Sequence, residues 1–135
     1  MPFRPLRASV NDGNFGDVLS GALTTTTNAA AAVASYAPPA NAVAYFSCTF
    51  VGRRTDGANA GDGAVVTLTC AYKNVAGVLT QIGADASTVV QASASINTSA
   101  ASSSAASGVV SLKIAGVNGA TINWQLQSAL TYIAQ

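Results

Sequence analysis

Five aspartates supply all the carboxylate side chains of this 135-residue chain, which contains neither histidine nor glutamate. They are Asp12, Asp17, Asp56, Asp62 and Asp85. Without histidine, a Ser-His-Asp or Cys-His nucleophile cannot form, and zinc sites built on histidine are excluded. General acid–base chemistry would depend on the aspartates, and three of them (Asp12, Asp56 and Asp62) lie beside glycine in turn-like contexts. We therefore predict that the chain is not an enzyme.

A loop at residues 56–63 (DGANAGDG) is the candidate metal site, because Asp56 and Asp62 offer carboxylates and Asn59 offers an amide. Calcium takes about six to eight oxygen ligands, usually including several carboxylates, and this loop has no closing bidentate glutamate. Asp-Gly is also an ordinary turn dipeptide. The glycines at 61–63 and 116–119 do not form phosphate loops, because neither segment opens a helix. We predict no metal and no cofactor.

Two cysteines, Cys48 and Cys70, lie in predicted strands at residues 43–51 and 65–72. If these strands form a hairpin that is symmetric about its loop, the cysteines are cross-strand neighbours. They could form a disulfide if their Cα atoms lie within about 4.4–6.8 Å. The alternative is a buried, reduced pair that packs as small apolar side chains. The N-terminus lacks the apolar region of a signal peptide, so we expect synthesis in a reducing cytoplasm and favour the reduced pair.

The clearest strands are residues 109–115 and 120–127, in which apolar and polar side chains alternate. A period of two with one apolar face indicates half-buried strands. Gly116 and Gly119 flank the intervening turn and supply the positive φ values of a tight hairpin. We predict a hairpin here, and a core that includes Phe46, Phe50, Leu68, Leu112, Ile114 and Trp124.

The rest of the chain contains further short strands separated by turn signals. We predict one or two strands within residues 18–36, a turn and short strand at 74–82, and a strand at 88–96. The low-complexity segment 98–107 is predicted as a loop or plain surface segment. Seven or eight short strands are typical of an antiparallel β-sandwich or jelly roll. We predict an all-β fold with one domain at 18–135 and an extended N-terminal arm at 1–17.

The arm has two interpretations, because Pro2 and Pro5 block regular structure. It is either a flexible terminus or an extended segment that lies on a neighbouring subunit. Charged residues make up only 8% of the chain, against roughly 25% in typical domains, and the net charge is +1. We expect neighbouring copies to cover so uncharged a surface. The adjacent pair Arg53 and Arg54 is much smaller than the basic patch that nucleic-acid binding requires. No segment is long and apolar enough for a membrane helix.

Aromatic side chains are the remaining candidates for ligand binding. The four tyrosines and the tryptophan could stack on sugars. Most of them occupy alternating strand positions, which favours packing in the core or in an interface. They are Tyr36, Tyr45, Tyr72, Tyr132 and Trp124.

Two segments together carry a family resemblance: residues 51–57 (VGRRTDG) and residues 116–124 (GVNGATINW). Their order and spacing resemble small β-modules in virion structural proteins of tailed bacteriophages, which occur in tail fibres, tail spikes and head-surface proteins. The resemblance implies a non-enzymatic virion protein, made in the host cytoplasm, that forms a homotrimer and binds the major capsid protein or tail proteins. The chain lacks a long repetitive shaft, which favours a capsid decoration or minor capsid protein. The alternative is a tail-fibre or tail-tip module that binds a receptor or carbohydrate.

The arm is the predicted attachment element, and the basic pair at residues 53 and 54 joins it as a predicted contact region. No nucleic acid or membrane partner is expected. The interaction residues predicted in this way are Phe3, Arg4, Leu6, Arg7, Arg53 and Arg54.

Overall fold

The computed structural model describes residues 14–134 and places most of them in β-strands, as the sequence predicts. Within these residues a single turn of 3-10 helix, Ala94–Ile96, is the only helical element, and no helix is long and apolar enough to cross a membrane. The strands are β1 (Asn14–Thr25), β2 (Ala30–Tyr36), β3 (Ala42–Arg54), β4 (Gly63–Val75), β5 (Val78–Gln81), β6 (Ala86–Ala92), β7 (Ala100–Ala106), β8 (Val109–Ala115) and β9 (Ile122–Ala134).

The strands form two antiparallel sheets. The large sheet has the order β1-β9-β3-β4-β5, and its sixth strand, β6, pairs with β4 beside β5. The small sheet has the order β2-β8-β7. Burial alternates along β3, β4, β8 and β9, so each sheet turns one apolar face towards a shared core. The predicted all-β sandwich is confirmed.

The core contains the side chains that the alternation predicts. Trp124 is 1% exposed, and the other five predicted core residues are fully buried. Tyr72, Ile96, Ile122 and Leu130 are also buried and extend the core between the sheets.

The predicted hairpin at residues 109–127 is wrong in its pairing, although both strands exist. Strand β8 lies in the small sheet between β2 and β7, whereas β9 lies in the large sheet between β1 and β3. Residues 116–121 therefore cross from one sheet to the other. Alternation identifies the buried face of a strand but not its hydrogen-bonded neighbour, and a glycine-rich turn serves a crossing as well as a hairpin.

Two other predictions about strands have different outcomes. The segment predicted as one or two strands within 18–36 forms β1 and β2, which belong to different sheets. The segment 98–107, predicted as a loop or plain surface, instead contains β7, which pairs with β8 along its whole length. Ala101 of this strand is buried in the core, and backbone pairing and polar contacts also hold the strand in place.

Strand β1 begins at Asn14, four residues before the predicted boundary between arm and domain. The predicted division of the chain at residue 17 otherwise stays a prediction, because residues 1–13 lie outside the described part.

Candidate functional site

The two segments that carry the family resemblance lie side by side at one end of the sandwich. Gly52 of β3 pairs with Trp124 of β9, and a Cβ atom on Gly52 would lie 2.5 Å from the indole ring. The Thr55 N–H donates to the Thr121 carbonyl at 2.9 Å. We call this region, residues 52–56 with residues 116–124 and Thr25, the Trp124 corner.

Trp124 is fixed by polar as well as apolar contacts. Its Nε1–H donates to Thr25 Oγ1 at 3.0 Å in a buried position. The Thr25 side chain in turn occupies the space beside Gly116, where a Cβ would overlap with it. Gly119 has the positive φ predicted for the turn, 81°. Glycine is needed at position 116 for a different reason, because a Cβ there would collide with the Thr25 side chain. Both Gly52 and Gly116 therefore leave room for neighbouring side chains.

Arg54 and Asp56 close the corner with an ion pair. Arg54 Nε donates to Asp56 Oδ1 at 2.9 Å, and the Thr121 N–H donates to the same oxygen at 3.0 Å. These contacts, the Thr121 N–H first and Arg54 second, hold the pKa of the Asp56 carboxyl below its usual value. The Arg54 side chain is 15% exposed, and its charge is paired with Asp56 within the corner.

The predicted interaction residues are not brought together by the described structure. Arg53 is exposed at the end of β3, whereas Arg54 turns into the corner. The other four, Phe3, Arg4, Leu6 and Arg7, lie outside the described residues.

The two loop aspartates bind different partners. Asp56 holds Arg54, whereas Asp62 Oδ2 accepts a hydrogen bond of 2.7 Å from Ser95 Oγ. Across residues 14–134, no three Asp or Cys side chains are grouped so that they could hold a metal ion.

A second polar cluster, centred on Asp85, joins the two sheets and was not foreseen from the sequence. Ser103 of β7 donates its N–H to Asp85 Oδ2 at 2.9 Å and its hydroxyl to Oδ1 at 2.5 Å. Gln81 Nε2 donates to Oδ1 at 2.7 Å, and the Tyr72 hydroxyl lies 2.7 Å from Ser103 Oγ. Ser103 did not stand out in the sequence, because it lies in a serine-rich segment that resembles a loop.

The Asp85 cluster places a hydroxyl beside a carboxylate, and its members are hydrogen-bonded to one another. Burial raises the pKa of Tyr72 and raises the pKa of the nearby Cys70 thiol to about 11. Both groups are protonated at neutral pH, and no imidazole is available to accept a proton from Ser103. The cluster therefore holds β7 against the large sheet.

The cysteines are offset by two residue pairs in the β3–β4 hairpin. Cys48 lies opposite Leu68, and Cys70 lies opposite Phe46. Diagonal positions of this kind are about 7–8 Å apart, beyond the usual reach of a disulfide. Both thiols are free and buried, as in the reduced alternative, and Cys48 Sγ donates to Ser128 Oγ at 3.4 Å.

Most of the aromatic side chains are directed inward, as the packing interpretation predicts. Trp124 and Tyr72 are buried, and Tyr36 packs against Phe46 and Tyr132 with ring centroids 6.1 and 6.3 Å apart. Tyr45 differs, because it is 45% exposed on the outer side of the large sheet.

That outer side is the broadest candidate surface, and we call it the outer face: the outward side chains of β1, β9, β3 and β4. Two shallow grooves of about 450 and 300 Å³ meet at Val51. No charged side chain lines either groove, so the surface suits a neutral partner. The outward residues are Val18, Ser20, Ala22, Thr24, Val43, Tyr45, Ser47, Thr49, Val51, Arg53, Val65, Thr67, Thr69, Ala71, Lys73, Val75, Asn123, Gln125, Gln127, Ala129, Thr131 and Ile133.

Comparisons with known proteins give structural neighbours but no sequence relatives. No protein-family model matches the chain, and no curated protein does. The tailspike protein of Acinetobacter baumannii phage AM24 shares the fold over 93% of this chain, with 9% identity and a TM-score of 0.51. The tailspike protein of Acinetobacter baumannii bacteriophage Fri1, a capsular polysaccharide depolymerase, matches over 93% of this chain with 12% identity and a TM-score of 0.44. This chain spans 27% and 20% of the length of those two proteins.

Proposed function

We propose that this chain is a structural β-sandwich module of a bacteriophage tail protein of the tail-fibre or tailspike type, and that it works by packing rather than by catalysis. The observation that carries the proposal is the fold, which part of the AM24 tailspike shares over 93% of this chain. This supports the tail alternative of the sequence prediction better than the capsid decoration that the sequence favoured.

The proposal that the module is not catalytic is supported by how its polar groups are used. Each of Asp56, Asp62 and Asp85 accepts hydrogen bonds from neighbouring residues of the same chain. The buried Cys70 thiol and Tyr72 phenol have raised pKa values, so neither provides an activated nucleophile at neutral pH. These groups stabilise the sandwich.

Self-assembly is the second part of the proposal, with the homotrimer predicted from the sequence as the expected form. A charged fraction of 8% leaves a broad uncharged surface, and permanent interfaces are depleted in charge at their centres. Exposed strand faces of this kind are usually covered in proteins that stay soluble.

Immunogold electron microscopy tests the location in the virion. Antibodies raised against the recombinant chain are applied to intact particles of the phage that encodes it, with particles of an unrelated phage as the control. We expect gold at the tail. Gold spread over the capsid would support the decoration prediction instead, and unlabelled particles that also lack the chain by mass spectrometry would contradict both.

A further inference from the structure

The outer face combines a large area with very little charge. Four strands at about 4.8 Å spacing, about 12 residue pairs long at about 3.4 Å each, give a face of roughly 19 by 41 Å. This area of roughly 800 Å² matches what each partner contributes to an interface of standard size. Complete coverage by one kind of partner would therefore be enough for stable association.

Apart from Val18, the large apolar side chains of this face lie in rows towards its two ends. Val43 lies opposite Ile133 in one row, with Tyr45 in the next, whereas Val51 and Val65 pair in a row near the other end. Val43, Tyr45, Val51 and Ile133 are 42–56% exposed, which is high for large apolar side chains.

Between these ends, one row consists of hydroxyl and amide side chains, whereas the next row also contains Ala129 and Val18, which is 57% exposed. Thr49 lies between Gln127 and Thr67, and Ser47 lies between Ala129 and Thr69. Hydroxyl and amide groups both donate and accept hydrogen bonds, so a row of them can pair with an identical row.

The charges of the face lie at its margins. Lys73 belongs to the row of Val43, and Arg53 belongs to the row of Asn123 at the opposite end. Each can remain at a solvent-exposed rim when the centre is covered. The central rows carry no charge that would select a charged partner.

We propose that the outer face of the large sheet is where copies of this chain meet, packed around an axis parallel to the strands. Such an axis brings each row to the same height in every copy, so that every row meets an identical row and the uncharged centre meets an uncharged centre. The inference rests on the self-assembly proposed above and names the surface that carries it. A second copy is the occupant that the row pattern fits.

A matched pair of charge substitutions tests this surface. Ala129→Glu places a carboxylate at the centre of the outer face, whereas Ala32→Glu places one on the outer side of the small sheet, opposite Lys113. Both alanines are exposed strand residues. Sedimentation equilibrium measures the association of each variant, and circular dichroism checks the fold. We expect Ala129→Glu to weaken association at least ~100-fold, because a buried unpaired charge is strongly unfavourable, and Ala32→Glu to leave it unchanged.

The possible results separate the two proposals. A wild-type chain that is monomeric at every concentration would overturn self-assembly and the surface together. An associating wild type whose Ala129→Glu variant associates equally well would overturn the surface alone, as would equal weakening by both variants.

Cysteine substitutions provide a second test if Ala129→Glu does not fold. Ser47→Cys lies on the outer face and Ser35→Cys on the small sheet, and both serines are exposed. Mild oxidation of the associated protein should link Ser47→Cys chains covalently and leave Ser35→Cys chains unlinked. The reverse pattern would overturn the proposal.

Discussion

Gly52 lacks a side chain because the indole ring of Trp124 occupies the space that a Cβ would need. The ring is itself held by the hydrogen bond to Thr25, so it cannot move aside without losing that bond. Gly52 is therefore required for the space that it leaves free. Its backbone conformation does not require glycine, because other residues also adopt it. Gly52 and Gly116, one from each of the two resembling segments, therefore leave the space in which Trp124 and its hydrogen-bond partner Thr25 pack.

Gly52→Ala should lower the free energy of unfolding by about 1–3 kcal/mol, because an overpacked core must shift to admit the methyl group. Urea denaturation followed by tryptophan fluorescence measures the change. Gly63→Ala is the matched control, since its Cβ would lie 3.5 Å from the nearest neighbour, an ordinary contact. It should change stability by less than about 1 kcal/mol. Equal losses in the two variants would contradict the steric explanation.

The thiol of Cys70 should react slowly in the folded protein. Its pKa is raised to about 11 by burial, whereas a cysteine in an unfolded chain titrates near 8.5. At pH 8 we expect labelling by a thiol reagent to be at least ~10-fold slower in the native state than in urea. Because the folded pKa is the higher one, this thiol favours the folded state fully below about pH 8.5, and the effect is lost as the pH rises towards 11.

The Cys48→Ser variant isolates Cys70 for this measurement. Native labelling as fast as in urea would show that the thiol is accessible and would contradict the buried position. A disulfide found in the purified wild-type protein without reductant would contradict the offset register.

Strand β7 combines limited apolar packing with a polar contact to the large sheet. Ala101 is its one buried residue, and Ser103 makes two hydrogen bonds to Asp85 and lies within hydrogen-bond distance of Tyr72. These contacts reach across from the small sheet to the large sheet. The attachment of strand β7 to the large sheet therefore depends strongly on the single residue Ser103.

Ser103→Ala should lower the free energy of unfolding by about 1–3 kcal/mol, because partly buried polar partners lose a hydrogen bond. Hydrogen exchange should also speed up in β7 more than in β3. Ser104→Ala, on the opposite side of the same strand, is the control and should have little effect on either quantity. A Ser103 variant as stable as this control would contradict the tie.

Sequence patterns predict strands better than they predict pairing, and β8 and β9 illustrate why. Val110, Leu112 and Ile114 are buried as their alternation predicts, and so is Trp124. Alternation contains no information about which sheet a strand joins, so the two strands were wrongly predicted to pair with each other. Strand β7 escaped prediction because alanine and serine give no apolar period.

The candidate sites were predictable in part. Arg54 and Asp56 were visible as a charged turn, but their use within the corner depends on Thr121, which is 65 residues away along the chain. The Asp85 cluster likewise unites residues from separate strands. The outer face emerges only when β1, β9, β3 and β4 are placed side by side, because no single strand carries enough uncharged surface to stand out.

At the scale of the whole molecule, the described sandwich has a filled interior and, on the large sheet, a broad outer face whose charged side chains lie at its margins. The polar groups that could do chemistry are used to hold strands and loops together. The outer face is the surface that we propose for another copy of the same chain. The proposed role of the chain therefore depends on self-association more than on any single residue.

Native mass spectrometry of the recombinant wild-type chain at micromolar concentration tests this most directly. We expect a homotrimer of about 40 kDa, three times the 13.4 kDa of one chain. Another discrete oligomer would correct the stoichiometry while keeping self-association. A single species of 13.4 kDa across the whole concentration range would contradict the account.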